Sequence, residues 1–566
     1  MKAEDNKESK FDKFYKTIST IVILCFTVFV IIQLYKIYKL YTGGEKSVNL
    51  SNELRYELNA DGNSYSVALA DSEFKGTINI PGKYNGKPVT SIKDSAFREC
   101  IGLTGITIPD SITSIGVGAF YCCFELTNIY INDLVAWCEI SGLTELMDAG
   151  ANNKKLYLND ELITDLVLPN GIKCIGKFAF AKFGLTSIMI PNSVTYIGEY
   201  AFSGCSALTS ITIPDSVTKI DGSAFYGCNR LKYNIDEEGA CYLGNSDNRY
   251  IVLVKVKNIL TSSYTIKENT KFICDYAFSG CSNLTSINVP DGVTDIGWSA
   301  FRGCSGLSSI IIPDRVTSIG GYAFEGCSEL TSIAIPDSVT YMGDSAFFGC
   351  GGLTSIIIGK GVTEIGDSTF VGCSGLTNIN ISDSVTRIRD SAFRGCTVLT
   401  SVTIGNSVTS IGSYAFESSS GLTNITIPDS VIDIGDNAFS GCSGLTSIII
   451  GRGVTEIGDS MFYDCSGLTS ITIPDSVTRI RDSAFCRCSG LASVIIGKNV
   501  SSIGHGVFSR CSSLKSVEFK DATTWYKTDK SDNMENKSNG VLVDVSDSAN
   551  NMKIFSDYSD CYWYKI

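Results

Sequence analysis

Residues 284–306 read LTSINVPDGVTDIGWSAFRGCSG. Leu284, Ile287 and Val289 follow the L-x-x-L-x-L spacing of a strand that points its apolar side chains one way, and Val293, Ile296, Ala300, Phe301 and Cys304 line a return path. A single unit of this size cannot bury both strand and return. Stacked units can: at roughly 4.8 Å per unit the strands become a parallel sheet and the apolar positions one continuous core.

The phenylalanine of the unit marks its period. Phenylalanine stands at 278, 301, 324, 347, 370, 393, 416, 439, 462, 485 and 508, eleven consecutive positions spaced by 23. Phe97, Phe120, Phe180, Phe202 and Phe225 extend the series to sixteen turns, with two insertions and one single-residue shortening. The period lies within the range of about 20 to 29 residues expected of leucine-rich repeats. A longer period overlies it: GKGVTEIGDS at 359 recurs as GRGVTEIGDS at 451, and DSVTRIRDSAF at 383 recurs at 475, both 92 residues on. Four turns were duplicated as a block. The sequence therefore predicts a repeat solenoid, a leucine-rich repeat with a 23-residue period, a parallel β-sheet and short helical or irregular return segments.

The recurring pattern I-P-[DN]-S-[VI]-T-x-I-G-x-x-A-F-x-x-C closely resembles the BspA-like leucine-rich repeat family over roughly residues 65–520, and CYLGNSDNRYIVLV (241–254) is similar to an insertion seen in that family. The resemblance implies a cell-surface or secreted protein that binds matrix proteins or other cells. It implies neither a particular ligand nor a mode of attachment, because attachment differs among members.

Composition narrows the function classes. The chain has 566 residues, 44% hydrophobic and 19% charged, which is folded protein and too long for one ordinary core. A formal net charge of -13 opposes polyanions, so nucleic acid is not an expected partner. The chain contains one histidine, His505, which removes the commonest general base and the commonest metal ligand. No enzyme activity, catalytic residue, metal or cofactor is expected.

Nineteen uncharged residues, Thr17 to Tyr35, lie between Lys16 and Lys36, roughly 28 Å at helical rise and enough to span a bilayer. Five lysines precede this stretch against three shortly after it, which predicts a cytoplasmic N-terminus and a single-pass cell-membrane protein with an extracellular repeat region. The expected organisation is a short tail at 1–16, a transmembrane helix at 17–35, a stalk at 36–53, and an N-terminal cap with the first repeats at 54–130. An insertion at 131–165, repeats at 166–230, a β insertion at 231–270, an eleven-turn array at 271–520 and a C-terminal cap at 521–566 follow. Leu54–Leu58, the Asp61-Gly62 pair and Tyr65–Ala70 read as a capping hairpin with a tight turn. The chain leaves the repeat through Asp133 and Trp137, and again through Asp521 and Trp525 at the same offsets, which suggests one capping device used twice.

In a solenoid each repeat position becomes a column. The cysteine three residues after each phenylalanine reads as a buried, free thiol acting as a small hydrophobe, since Phe183 fills the same slot, although neighbouring turns bring such residues within disulfide range. Asp344, Asp367 and Asp390, then Asp436, Asp459 and Asp482, read as caps of a helical D-S-A-F start rather than as Ca²⁺ ligands. The loop column Asp337, Lys360, Asp383, Asn406, Asp429, Arg452, Asp475, Lys498 alternates acid with base or amide, which relieves repulsion between turns. Binding is expected on the concave face, where outward positions alternate with buried ones: Ser309 and Ile311, Ser332 and Ala334, Ser355 and Ile357, Asn378 and Asn380, then Thr403, Thr426, Ile449, Thr472 and Ile495. This nearly uncharged surface suits a macromolecular ligand, protein or glycan. The alternative is a self-associating cell-envelope protein that uses the exposed sheet and aromatic caps such as Trp137, Trp525 and Trp563.

Overall fold

The structure, a computed structural model, describes residues 53–70, 73–150, 152–529, 540–557 and 561–565. The expected membrane span at 17–35, with the tail at 1–16 and nearly all of the stalk, lies outside the described residues. No helix among the described residues is long and apolar enough to cross a membrane.

Two parallel ladders run through the array. In the longer one, Asn378–Ile381, Ser401–Ile404, Asn424–Thr426 and Ser447–Ile449 pair in register at 23-residue steps. In the shorter one, Glu364–Ile365, Arg387–Ile388, Ser410–Ile411 and Asp433–Ile434 do the same. Burial alternates along each long strand: Asn378 exposed, Ile379 buried, Asn380 exposed, Ile381 buried. That is the two-residue period of a pleated strand with one face in the core. In the unit at 284–306, Leu284, Val289, Val293, Ile296, Ala300, Phe301 and Cys304 are buried, and Ile287 packs against the core at its margin.

The return segments correct the helical expectation. From Tyr322 onward the backbone N–H groups alternate in destination. Those of Tyr322, Phe324 and Gly326 donate to the next turn, to the carbonyls of Asp344 (3.0 Å), Ala346 (2.8 Å) and Phe348 (2.8 Å). Those of Ala323, Glu325 and Cys327 close onto Gly320, Tyr322 and Phe324 of their own turn. A helix would direct every N–H within its own segment; here half of them hold the next turn. The alternation requires left-handed residues, and Tyr322 (φ 55) and Gly326 (φ 70) recur one turn on as Ser345 (φ 58) and Gly349 (φ 69).

The phenylalanines sit inside this lattice. From Phe278 to Phe508 each ring stacks on the next, with centroids 5.1–5.7 Å apart and planes within 13°. The cysteines do more than fill space. Cys350 Sγ donates to the Phe324 carbonyl of the preceding turn (3.0 Å), and the same contact recurs at Cys304, Cys327, Cys373, Cys396, Cys442, Cys465 and Cys488. Ser419 makes it with an oxygen, 2.8 Å from the Phe393 carbonyl. The described cysteines are free thiols.

The aspartate column caps the neighbouring turn, not a helix of its own. Asp344 Oδ1 accepts from Asp367 N (2.9 Å), Asp367 from Asp390 N (3.0 Å) and Asp390 from Ser413 N (2.7 Å); Asp436, Asp459 and Asp482 repeat the series. The loop column follows the same logic. Asp337 accepts from Lys360 N, Asp383 from Asn406 N, Asp429 from Arg452 N and Asp475 from Lys498 N. The alternation first attributed to charge relief thus arises from a carboxylate in one turn and a donated N–H in the next. It also needs glycine beside that donor, since a Cβ on Gly359 would stand 2.2 Å from the Pro336 carbonyl oxygen.

The ends and insertions depart from the array. Leu54–Leu58 and Tyr65–Leu69 form an antiparallel hairpin, but a six-residue loop joins them, in which Asp61 accepts from the Asn63 and Ser64 N–H groups. The segment after Leu126 stays in the stack: Asn128–Ile131 pairs in parallel with Lys155–Leu158, and the chain between forms helices at Leu134–Glu139 and Leu143–Met147. The segment after Leu514 folds differently. Trp525–Thr528 is a strand, antiparallel to Tyr562–Lys565, which in turn covers Ser502–Ile503 and so closes the last edge of the short ladder. The two Asp…Trp exits are therefore not one device. They share a turn-capping aspartate and a buried tryptophan, with a helix built on the first pair and a strand on the second.

The cysteine column ties stability to pH. Burial pushes the thiols of Cys350, Cys396 and Cys442 up to about 12, against roughly 8.5 for a free thiol. Their folded pKa is raised, so the stabilisation they contribute is complete below the free-thiol value and is lost as pH climbs from there toward 12. Urea unfolding should show stability falling across that window. Cys350→Ser, which keeps a donor that does not titrate, should cost about 1 kcal/mol or less at pH 7 and should lose less stability than the parent between pH 9 and 12.

Candidate recognition surface

The thirteen positions expected to bind fall into two adjacent columns on the outer face of the long ladder. Ser309, Ser332, Ser355 and Asn378 form one, and Ile311, Ala334, Ile357, Asn380, Thr403, Thr426, Ile449, Thr472 and Ile495 the other. All are exposed except Ile495, which is half-buried. Ile311 at 83%, Ile357 at 69% and Ile449 at 65% exposure stand out as apolar side chains with no cover.

The hydroxyls bordering these columns serve the fold. Thr354 Oγ1 donates to the Thr331 carbonyl (3.0 Å), Thr400 to Thr377 (3.0 Å) and Thr446 to Thr423 (3.0 Å), each one turn back. Asn378 and Asn424 donate through Nδ2 to the neighbouring Thr377 and Thr423 hydroxyls, both at 3.1 Å. The face is thereby held rigid from one side and left apolar or neutral on the other.

Charge is placed elsewhere. Glu364 binds Arg389 (2.6 Å), and 92 residues on Glu456 binds Arg481 (2.7 Å); Arg302 binds Glu325 (2.7 Å), and 92 residues on Arg394 binds Glu417 (2.5 Å). The block duplication carried its ion pairs with it. The arginines are exposed and the glutamates half-buried, so each pair is in good part screened by solvent and contributes modestly to stability.

The aromatic residues named for self-association do not form a surface. Trp137, Trp525 and Trp563 are each 1% exposed, and Trp137 Nε1 donates to the Ala179 carbonyl inside the core (2.7 Å). That part of the expectation is overturned: burying the indoles completes the stack, so none is left to meet a second copy.

Sequence reasoning missed one feature. The strands of the second insertion separate two turns of the short ladder: Lys219–Ile220 pairs back to Tyr196–Ile197, while Phe272–Ile273 takes Val252–Val256 as its partner. A cleft of about 1240 Å³ opens between them. Asp221, Ser223 and Tyr226 line one side, and Asp275, Asp295 and Trp298 the other. Asp275 spans the floor, accepting from Ser223 Oγ across the gap (2.6 Å) and from Trp298 N in the next turn (2.8 Å). Burial raises the carboxyl pKa of Asp275 and of Asp295, and hydrogen bonds to Asp275 from Ser223 and Trp298 oppose the rise only in part. The available signal was departure from the repeat: Trp298 occupies the capping-aspartate column shortly after an insertion, whereas Asp295 and Tyr341 sit in an outward column of the short strands that varies from turn to turn.

A family model described as BspA type leucine rich repeat region, in six copies, matches residues 68–140, 153–246, 256–377, 363–492 and 411–530. No curated protein matches the chain. Among solved structures, a leucine-rich repeat protein from Bacteroides ovatus is 26% identical, covering 82% of this chain and 92% of its own, with a TM-score of 0.36. A leucine rich cell surface protein from Faecalibacterium prausnitzii is 25% identical over 83% of this chain and 94% of its own, with a TM-score of 0.27. A leucine-rich repeat protein from Eubacterium ventriosum is 23% identical over 69% and 94%, with a TM-score of 0.29.

Trp298 is 37% exposed where the other three tryptophans are buried. Acrylamide should therefore quench one class of indole and leave the rest, and Trp298→Phe should abolish the quenchable fraction without changing the melting temperature.

Proposed function

The chain belongs to the BspA-type leucine-rich repeat family, and from that premise we propose that it is a membrane-anchored, extracellular recognition protein that mediates adhesion through the outer face of its long ladder. The observation that carries this reading is the continuity of that face. Nine successive turns, from Ile311 to Ile495, present a column without a single charged side chain, in a chain where 19% of residues are charged. Such a surface desolvates cheaply over a broad area and lacks the depth of a small-molecule pocket.

Rigidity adds to the argument. The sheet and its threonine hydroxyls are ordered before any ligand arrives, so association loses little conformational freedom on this side. Ile311, Ile357 and Ile449 are the anchors, separated by small neutral residues that exclude no partner by charge. The ligand class is a protein or a glycan with an extended, neutral contact face. No catalytic role is assigned: His505, the one histidine, gives its backbone N–H to Asp482 (2.9 Å) and sets its ring 5.8 Å from Tyr562.

The apolar stretch at 17–35 supplies the anchor in this reading, with the repeat region outside. Intact cells carrying the full chain should attach to matrix protein or glycan surfaces. Replacing Ile311, Ile357 and Ile449 together by aspartate should reduce attachment at least tenfold with circular dichroism unchanged. Attachment that survives the triple substitution would remove the ladder face from the mechanism. A repeat region protected from protease on intact cells would overturn its placement outside.

A further inference from the structure

The cleft beside the second insertion is chemically unlike the ladder face, and its reading stands apart from the one above. We propose that it binds the lysine or arginine side chains of an extended segment of a partner polypeptide.

Charge comes first. Glu199, Asp221, Asp275 and Asp295 line the cleft against Lys219 and Lys255, an excess of two acids. Two of the four acids are already matched, Glu199 by Lys177 (2.5 Å) and Asp221 by Lys219 (3.1 Å). Among the described residues Asp275 and Asp295 form no ion pair; their hydrogen bonds are with Ser223, Trp298 and Thr294, and Lys219, already paired with Asp221, is the cation that Asp295 feels. A carboxylate drawn from water without a cation is costly, and an arriving cation offsets that cost.

Aromatic geometry is the independent second observation. Tyr276 and Trp298 stand 4.9 Å apart with planes at 75°, and Trp298 and Tyr322 5.4 Å apart at 70°. Rings meeting at near right angles form a corner whose faces carry the negative side of the quadrupole, the arrangement that attracts ammonium and guanidinium groups. The Trp298 backbone holds Asp275, so the corner and the carboxylate are adjacent by construction. The neighbourhood already shows this chemistry within the chain: Lys255 lies over the Tyr233 ring (5.3 Å) and Lys219 over Tyr196 (5.7 Å).

Size selects the occupant. The volume of about 1240 Å³ exceeds the roughly 300–1,000 Å³ of small-molecule pockets. The wall continues through Phe272, Asp295, Ser318 and Tyr341, four turns of the short ladder, or roughly 14 Å at about 4.8 Å per step. That length fits several residues of extended chain with two basic side chains, one at Asp275 and one at Asp295. A free polyamine supplies the same charges without the backbone that fills the remaining space.

The test titrates the full-length chain in detergent with an octalysine peptide while following acrylamide quenching of Trp298. Saturable protection is expected, weakening at least tenfold between 50 and 500 mM salt. Asp275→Asn/Asp295→Asn should weaken it at least tenfold. So should Tyr276→Ser/Tyr341→Ser, which removes exposed rings and leaves the core intact. Glu125→Gln/Glu161→Gln, an equal loss of charge at exposed positions elsewhere, should leave it unchanged. Equal weakening by the remote pair would reduce the effect to net charge and overturn the proposal. Protection by spermine as strong as by octalysine would reassign the cleft to free polyamines. Protection by maltoheptaose in place of octalysine would reassign it to glycans, and no protection by octalysine would end it. Adhesion through the ladder face is read separately by the isoleucine variants, so either reading fails without the other.

Discussion

Everything in this molecule depends on the alternate sharing of backbone N–H groups around each phenylalanine. One N–H turns inward to its own turn and the next reaches to the turn ahead, so neither the turn nor the stack satisfies its polar groups alone. Buried backbone groups left unpaired are expensive, which leaves one register per turn. Phenylalanine stacking, the cysteine donor and the carboxylate caps all fit within that spacing. The turn between Phe180 and Phe202 is one residue short and still keeps the pattern, with Phe178, Phe180 and Lys182 donating to the carbonyls of Glu199, Ala201 and Ser203, while the ring separation widens to 6.0 Å.

The periodic features were legible because they repeat. Phe301, Cys304, Val293 and Ile296 announce the core by recurrence, and the alternation at Ser355, Ile356 and Ile357 assigns a face to each side chain by the two-residue period alone. The parallel pairing of strands was expected, but the hydrogen bonds between the return segments of successive turns stayed hidden. Asp344 looks like a helix cap when its own turn is considered, and becomes the acceptor for Asp367 only when the next turn is set beside it. The cysteine column was legible as buried and not as hydrogen-bonded, although Ser419 in the same slot was a clue that a donor, and not mere bulk, is retained there.

Departures from the repeat were harder still. Asp133 with Trp137 and Asp521 with Trp525 have identical spacing and different folds, because the first pair has turns on both sides to pack against and the second has an open edge to cover. The cleft was invisible for a related reason. It is made by a failure of pairing between Lys219–Ile220 and Phe272–Ile273, and spacing records strands that form rather than neighbours that part. Trp298 is legible as an exception in the capping-aspartate column, whereas Asp295 shares its column with Asp433 and gives no such signal.

The duplicated block has a consequence for length. Two stretches of 92 residues carry the same capping aspartates and ion pairs, and Ser419 replaces Cys327 with a donor to the same kind of carbonyl. An exchange between the two at the level of the gene removes or adds four turns cleanly, with both caps and the cleft untouched. The distance between the N-terminal hairpin and the far cap would then change in increments of roughly 19 Å at about 4.8 Å per turn. Reach is thus a quantity this architecture varies in whole steps, and the outer face of the long ladder lengthens or shortens with it.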